Sequence, residues 1–142
     1  MKLKAQGVFN GDKANPNIRH KYVVNFAVDL GDRDKKNKPV MVRNRELDEK
    51  DQVYVICDHL LAAEREQYFS SNSKGRGYAD FANVVKNKVR SLHNLDHPEE
   101  DRQMTIDEVL DAYGSPMAQQ IVQDIAVHLL IAGDLDEGEI KN

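Results

Sequence analysis

The chain of 142 residues contains one cysteine, no tryptophan, four prolines and only 6% aromatic residues. A single thiol, Cys57, can close no internal disulfide and supply no multi-thiolate zinc site, which excludes disulfide scaffolds and zinc fingers. Long apolar runs are missing as well. Stretches such as Leu129 to Ala132 fall far short of the roughly 18 residues that a bilayer crossing needs, so no membrane partner is expected. Met1 to Lys4 leads into polar Gln6, Asn10 and Asp12 rather than an apolar core, so no secretory signal is read and a cytoplasmic location is expected. Catalytic signatures are equally scarce. No serine stands in a Gly-x-Ser-x-Gly turn, and the Gly-x-x-x-x-Gly-Lys-Ser/Thr spacing of a phosphate-binding loop is absent. Internal repeats and low-complexity tracts are missing too.

What is present is a globular composition, 40% apolar and 31% charged, of a length that suits one domain over residues 1–142. Charge is distributed unevenly. Residues 1–50 carry 12 Lys/Arg against 7 Asp/Glu, residues 51–98 carry 6 against 6, and residues 99–142 carry 2 against 11. The net value of −4 speaks only for solubility, whereas the gradient suggests two surfaces of opposite sign. Lysine-rich strand edges that resist aggregation, together with acidic solvated helices, would leave the same pattern.

Residues 2–45 read as a three-stranded antiparallel meander. Leu3 to Phe9 and Lys21 to Leu30 are expected strands, the second with Tyr22, Val24, Phe26 and Val28 on one face by the period of two. Turn residues at Asn10-Gly11-Asp12 and Asn15-Pro16-Asn17 join them, and a polar turn over 31–39 leads to Val40-Met41-Val42 as an edge strand. From residue 46 the apolar spacing changes. Val53, Ile56, Cys57, Leu60 and Leu61 fit one helical stripe and predict a helix over 49–69, although Val53-Tyr54-Val55 favours β structure. Tyr78, Phe81, Val85, Val89 and Leu92 predict a second helix over 78–93. Thr105-Ile106-Asp107-Glu108 fits a capping box, and Ser115-Pro116 fits the start of a last helix over 116–132. The broad apolar face of that helix, with Met117, Ile121, Ile125 and Leu129, places it in the core or against a second copy of the chain. Gly133 is expected to cap it, which leaves 134–142 as an acidic tail. The expected fold is α+β, with a small N-terminal sheet packed against about four helices.

Several clusters invite chemistry. His93 and His97 stand four apart around Asp96, the spacing at which two imidazoles on one helical face chelate a metal, although Pro98 disfavours helix at His97. Cys57 and His59 lie two apart, which on a helix points them away from one another, and Cys57 on the apolar stripe reads as a buried, inert thiol. Ser73-Lys74-Gly75-Arg76-Gly77 before a helix could cradle a phosphate or be an ordinary mobile loop. That loop, with Lys86, Lys88 and Arg90 and the N-terminal Lys13, Arg19 and His20, could form a nucleic-acid surface on which Tyr22 or Tyr78 stacks a base. The acidic C-terminal third and an isoelectric point near 5.7 oppose this at long range. A helix-turn-helix over 105–130 offers Gln119, Gln120 and Gln123 as base readers but no phosphate-positioning cation.

Thr105-Ile-Asp-Glu-Val-Leu-Asp-Ala-Tyr-Gly, followed by the apolar helix to Leu130, resembles the C-terminal end of small tail assembly chaperones of long-tailed bacteriophages. The resemblance covers under a third of the chain. It implies a β segment followed by helices and a non-enzymatic partner of a tape-measure or tail-tube protein, and it transfers no defined functional residues. With no catalytic constellation and no cofactor motif, the sequence points to a protein-binding module acting as an adaptor, chaperone or inhibitor. Exposed Tyr54, Tyr68 or Tyr113 and the acidic third would dock a basic partner, such as a nucleic-acid enzyme whose DNA-binding groove is blocked. Inhibition would come by mimicry of nucleic acid, as in a phage or mobile-element accessory protein. Nucleic-acid or phosphate binding by the basic N-terminal part and the 74–90 region is the alternative.

Overall fold

A computed structural model describes residues 19–61, 63–64, 78–112 and 114–141. The elements in chain order are β1 (Arg19–Val23), β2 (Ala27–Arg33), β3 (Pro39–Arg43), β4 (Tyr54–Asp58), α1 (Tyr78–Lys88), β5 (Val89–His93), α2 (Ile106–Asp111) and α3 (Pro116–Lys141). Two short 3-10 turns, Asn44–Glu46 and Glu49–Asp51, connect β3 to β4. The class is α+β, with three helices among the described residues rather than about four. The strand expected at Leu3 to Phe9 lies outside those residues.

Among the described residues there are two sheets, and of the expected meander the antiparallel pair across the polar turn is present as β2 and β3. In one, β4 lies between β1 and β5, antiparallel to both; the other is, among the described residues, the β2–β3 hairpin. The expected strand from Lys21 to Leu30 is therefore cut in two. Its inward face is as read: Val24 and Phe26 are buried, and Tyr22 and Val28 pack against the core. The pairing changes midway. Up to Val23 the chain pairs with β4, from Ala27 it pairs with β3, and the side chain of Asn44 fills the junction. Its Nδ2 donates to the carbonyls of Val24 and Val53 at 2.6 and 2.9 Å, and its Oδ1 accepts from the Val53 N–H at 2.8 Å. A buried amide is tolerated because both its donor and its acceptor sides are satisfied.

Over 49–58 the expected helix is instead a 3-10 turn and β4. The same apolar residues satisfy both periods, but alternation wins. Val53, Val55 and Cys57 are buried in a central strand where β-branched side chains pack well, and Leu60 is buried just beyond it. Residues 63–64 are helical and 65–69 lie outside the described residues. The second expected helix, 78–93, also ends early. It stops at Lys88, and Val89–His93 becomes β5, because β4 offers an unpaired edge that Val89, Ser91, Leu92 and His93 complete.

The C-terminal elements follow their local signals. Thr105 Oγ1 accepts from the Glu108 N–H at 3.2 Å while Glu108 Oε1 accepts from the Thr105 N–H at 3.0 Å, which is the reciprocal cap of α2. Ser115 Oγ accepts from the Ala118 N–H, and Pro116 opens α3. One expectation fails here: α3 runs through Gly133 to Lys141, so Gly133 is not its cap and residues 134–141 are helical rather than a separate tail. A glycine inside a helix costs only about 1 kcal/mol, too little to stop propagation from a well-packed segment. That packing is extensive. Ile121, Val122, Ile125, Ala126 and Leu129 of α3 join Val84 and Val85 of α1 and Val55 and Cys57 of β4 in one buried cluster. Each fully buried aliphatic side chain contributes about 1.5–3 kcal/mol relative to exposure. The broad apolar face is thus covered within the chain, with Val127 and Ile131 left exposed.

Candidate functional site

Of the lysines and arginines expected to form a basic surface, Arg19, Lys86, Lys88 and Arg90 are described, and three of these four are paired with carboxylates. Arg19 and Arg90, brought together on β1 and β5 by their common neighbour β4, both bind the buried carboxylate of Asp58. Burial alone would raise the Asp58 carboxyl, but hydrogen bonds and charge from Arg90 and Arg19 overcome it and hold it below its ordinary range. Lys88 is buried and donates to both carboxylate oxygens of Glu64 at 2.7 and 2.6 Å. It does not stand on an open face beside Lys86, which is exposed on α1. Lys13, Lys74 and Arg76 lie outside the described residues. Gln120, a base reader in the helix-turn-helix reading, is otherwise engaged. Its Nε2 donates to the Ala27 carbonyl and its Oε1 accepts from the Ala27 N–H, each at 3.1 Å.

His93 and His97 have different partners. The His93 ring, at the end of β5, stacks on Tyr54 with centroids 4.6 Å apart, and its Nε2 hydrogen-bonds Ser91 Oγ at 2.8 Å. His97 Nδ1 accepts from the N–H groups of Glu99 and Glu100 at 3.1 and 2.9 Å, and its Nε2 lies 3.4 Å from Glu108. Among the described residues, no set of three His, Cys, Asp or Glu side chains is arranged to hold a metal. Cys57 is buried on a strand rather than a helix, and burial, with the neighbouring Asp58 charge, pushes its thiol up to about 12. Tyr54 is half-buried, with Lys21 Nζ 4.3 Å from its ring centroid. Tyr68 and Tyr113 lie outside the described residues. Beside Tyr54, an open groove of about 700 Å³ is lined by cations and carboxylates alike, including Lys21, Lys50, Asp48 and Glu49.

Two constellations go beyond the sites read from the sequence. The first is a polar seam between β1 and α3. Tyr22 donates to Asp124 Oδ2 at 2.8 Å, and the Asn25 N–H donates to the same oxygen at 2.7 Å. Burial first, then Asp124, raises the Tyr22 phenol well above its ordinary value, and Arg45 works against them by donating to the phenol oxygen at 3.0 Å. One turn further along α3, the His128 ring lies flat on Tyr22, centroids 3.7 Å apart and planes 10° apart. Its Nε2 stands 2.8 Å from the Nε2 of His20, whose ring packs against His59 at 4.7 Å.

The second constellation is the β2–β3 hairpin, which forms an arm. Every residue from Asp29 to Met41 is exposed. Its root is clamped by Gln120 and by the Asn44 N–H, which donates to the Phe26 carbonyl at 2.9 Å. Its turn is built by Asp34, whose Oδ1 accepts from the N–H groups of Lys36 and Lys38, with Asn37 at φ 61°. Gly31, at φ 98°, lies where the ladder loses register between Asp29 and Arg33, a backbone that only glycine adopts without strain. Val28 pairs with Val42 near the core, alternation places Val40 on the same face of β3, and Leu30 falls where the ladder loses register. Leu30 is 68% exposed, and Val40 and Met41 are more than 40% exposed. Lys35, Lys36 and Lys38 surround the tip, and Arg33 beside them is paired with Asp29 at 3.2 Å.

Comparison with family models, with curated proteins and with solved structures finds no match for the chain. No described helix is long and apolar enough to cross a membrane.

Proposed function

We propose that the protein is a non-enzymatic protein-binding module, an adaptor, chaperone or inhibitor, and that the β2–β3 arm is its contact element. The observation that carries this reading is the exposure of three large apolar side chains, Leu30, Val40 and Met41, on a ribbon that leaves the core at Val28 and Val42. A two-stranded hairpin is marginal in water by itself, and apolar side chains on it gain nothing from the core. A partner that covers these side chains supplies that burial. The cations at the tip favour a partner whose apolar patch is rimmed by carboxylates. The tail-assembly resemblance over Thr105 to Gly114 supports the chaperone role among the three.

The basic residues singled out for nucleic acid support that alternative less well, because Arg19, Lys88 and Arg90 are paired with carboxylates. The test is capture from cognate lysate, with and without nuclease, by the wild-type chain and by a Leu30→Asp/Val40→Asp variant. A nuclease-resistant protein should be retained by the wild type and lost by the variant at unchanged thermal stability. Equal retention by both, or loss on nuclease treatment, contradicts the reading.

A further inference from the structure

We infer that His20 and His128 form a two-imidazole site for a cupric or nickel ion, linking β1 to α3. The two rings come from elements far apart in sequence, yet their Nε2 atoms stand 2.8 Å apart. Nitrogens bound to one ion at about 2.0 Å and at right angles to one another are separated by about 2.8 Å, whereas a tetrahedral angle spreads them to about 3.3 Å. The spacing therefore suits adjacent positions on a square-planar or octahedral ion better than a tetrahedral zinc site. Water fills the remaining positions, since the described residues provide no third ligand arranged for the purpose.

The rings are held from both sides. His128 is stacked on Tyr22, which is itself fixed by Asp124 and Arg45, and His20 packs against His59. A ligand whose ring is locked by its neighbours loses little freedom on binding the ion. In the metal-free pair one Nε2 donates to the other. When the ion binds, the donor ring takes its Nδ1–H tautomer, so that both Nε2 lone pairs face the metal and no net proton is released.

The test is calorimetric titration of the full chain with copper(II) sulfate and with nickel(II) chloride, alongside electron paramagnetic resonance of the copper form. The wild type should bind one equivalent, with two nitrogen donors in the spectrum, and should melt at a higher temperature with metal, because an ion that binds only the folded state stabilises it. His20→Gln and His128→Gln should each weaken binding by at least about tenfold and abolish the metal-dependent rise in melting temperature. The rise is measured within each variant, so a change in its own stability does not enter. His93→Ala/His97→Ala should bind as the wild type does. No one-equivalent binding, binding retained in both glutamine variants, or an equal loss in His93→Ala/His97→Ala overturns the assignment.

Discussion

Asn44 is the residue whose removal should be felt most widely for its size. It is 2% exposed, and its side chain makes three hydrogen bonds to the backbone at the point where the chain leaves β1 and where β4 begins. Asn44→Ala deprives the Val53 N–H and the Val24 carbonyl of these partners. The Val53 carbonyl keeps the Val24 N–H at 3.2 Å. Each buried polar group left without a partner costs about 1–3 kcal/mol, so a loss of about 3–5 kcal/mol is expected once the small cavity is included. Against a total of about 5–15 kcal/mol for a domain, that is a large fraction, and it should lower the melting temperature by about 10 °C or more. Asn44→Asp should be no better, because it replaces a donor facing two carbonyls with an acceptor. Urea unfolding followed by far-ultraviolet circular dichroism gives the free energies by linear extrapolation. A loss below about 1 kcal/mol for Asn44→Ala would refute the view that this amide holds the two sheets together.

Asp58 makes stability pH-dependent in a defined direction. Its carboxyl is lower in the folded chain than in the unfolded one, so its contribution is fully present above the unfolded value near pH 4 and is lost as pH falls through the lower folded value. Asp58→Asn, which leaves Arg19 and Arg90 without their shared anion, should destabilise at pH 7 by about 3 kcal/mol and flatten the acid limb of a pH–stability curve; an unchanged acid limb would count against the pairing. Thr105→Ala should cost about 1 kcal/mol in urea unfolding by removing the α2 cap. The Glu108 carboxyl, pulled down to about 2 chiefly by Arg102 and then by the Thr105 N–H, should show its carbon-13 titration well below that of an ordinary glutamate, and a midpoint near 4.5 would contradict the described geometry.

The parts of the fold that were legible in the sequence are those fixed by local chemistry. Thr105 and Glu108 announce α2, Ser115 and Pro116 announce α3, and the period of two from Tyr22 to Val28 gives the buried face. The errors arise where one set of apolar residues fits two periods. Val53, Ile56, Cys57 and Leu60 mark a helical stripe, but Val53, Val55 and Cys57 alternate equally well, and only the presence of β1 and β5 on either side decides for a strand. Val89 and Leu92 were likewise absorbed into a helix because nothing local reveals the edge of β4 that they complete. The polar pairings were the least legible. Arg19 with Asp58, Lys88 with Glu64, and His20 with His128 join residues distant along the chain, so their neutralising or ligating roles have no spacing by which to be recognised. The arm was visible as two strands and a polar turn, but its separation from the main sheet depends on Asn44 and Gln120.

The central claim, that the β2–β3 arm is where a protein partner binds, is tested most directly by amide hydrogen exchange of the chain alone and in complex with the protein it captures from lysate. Alone, the amides of 29–41 should exchange fast, since they lie on an exposed two-stranded ribbon. In the complex they should be the most strongly protected segment of the chain. Protection that falls elsewhere and leaves 29–41 exchanging as in the free chain would contradict the account.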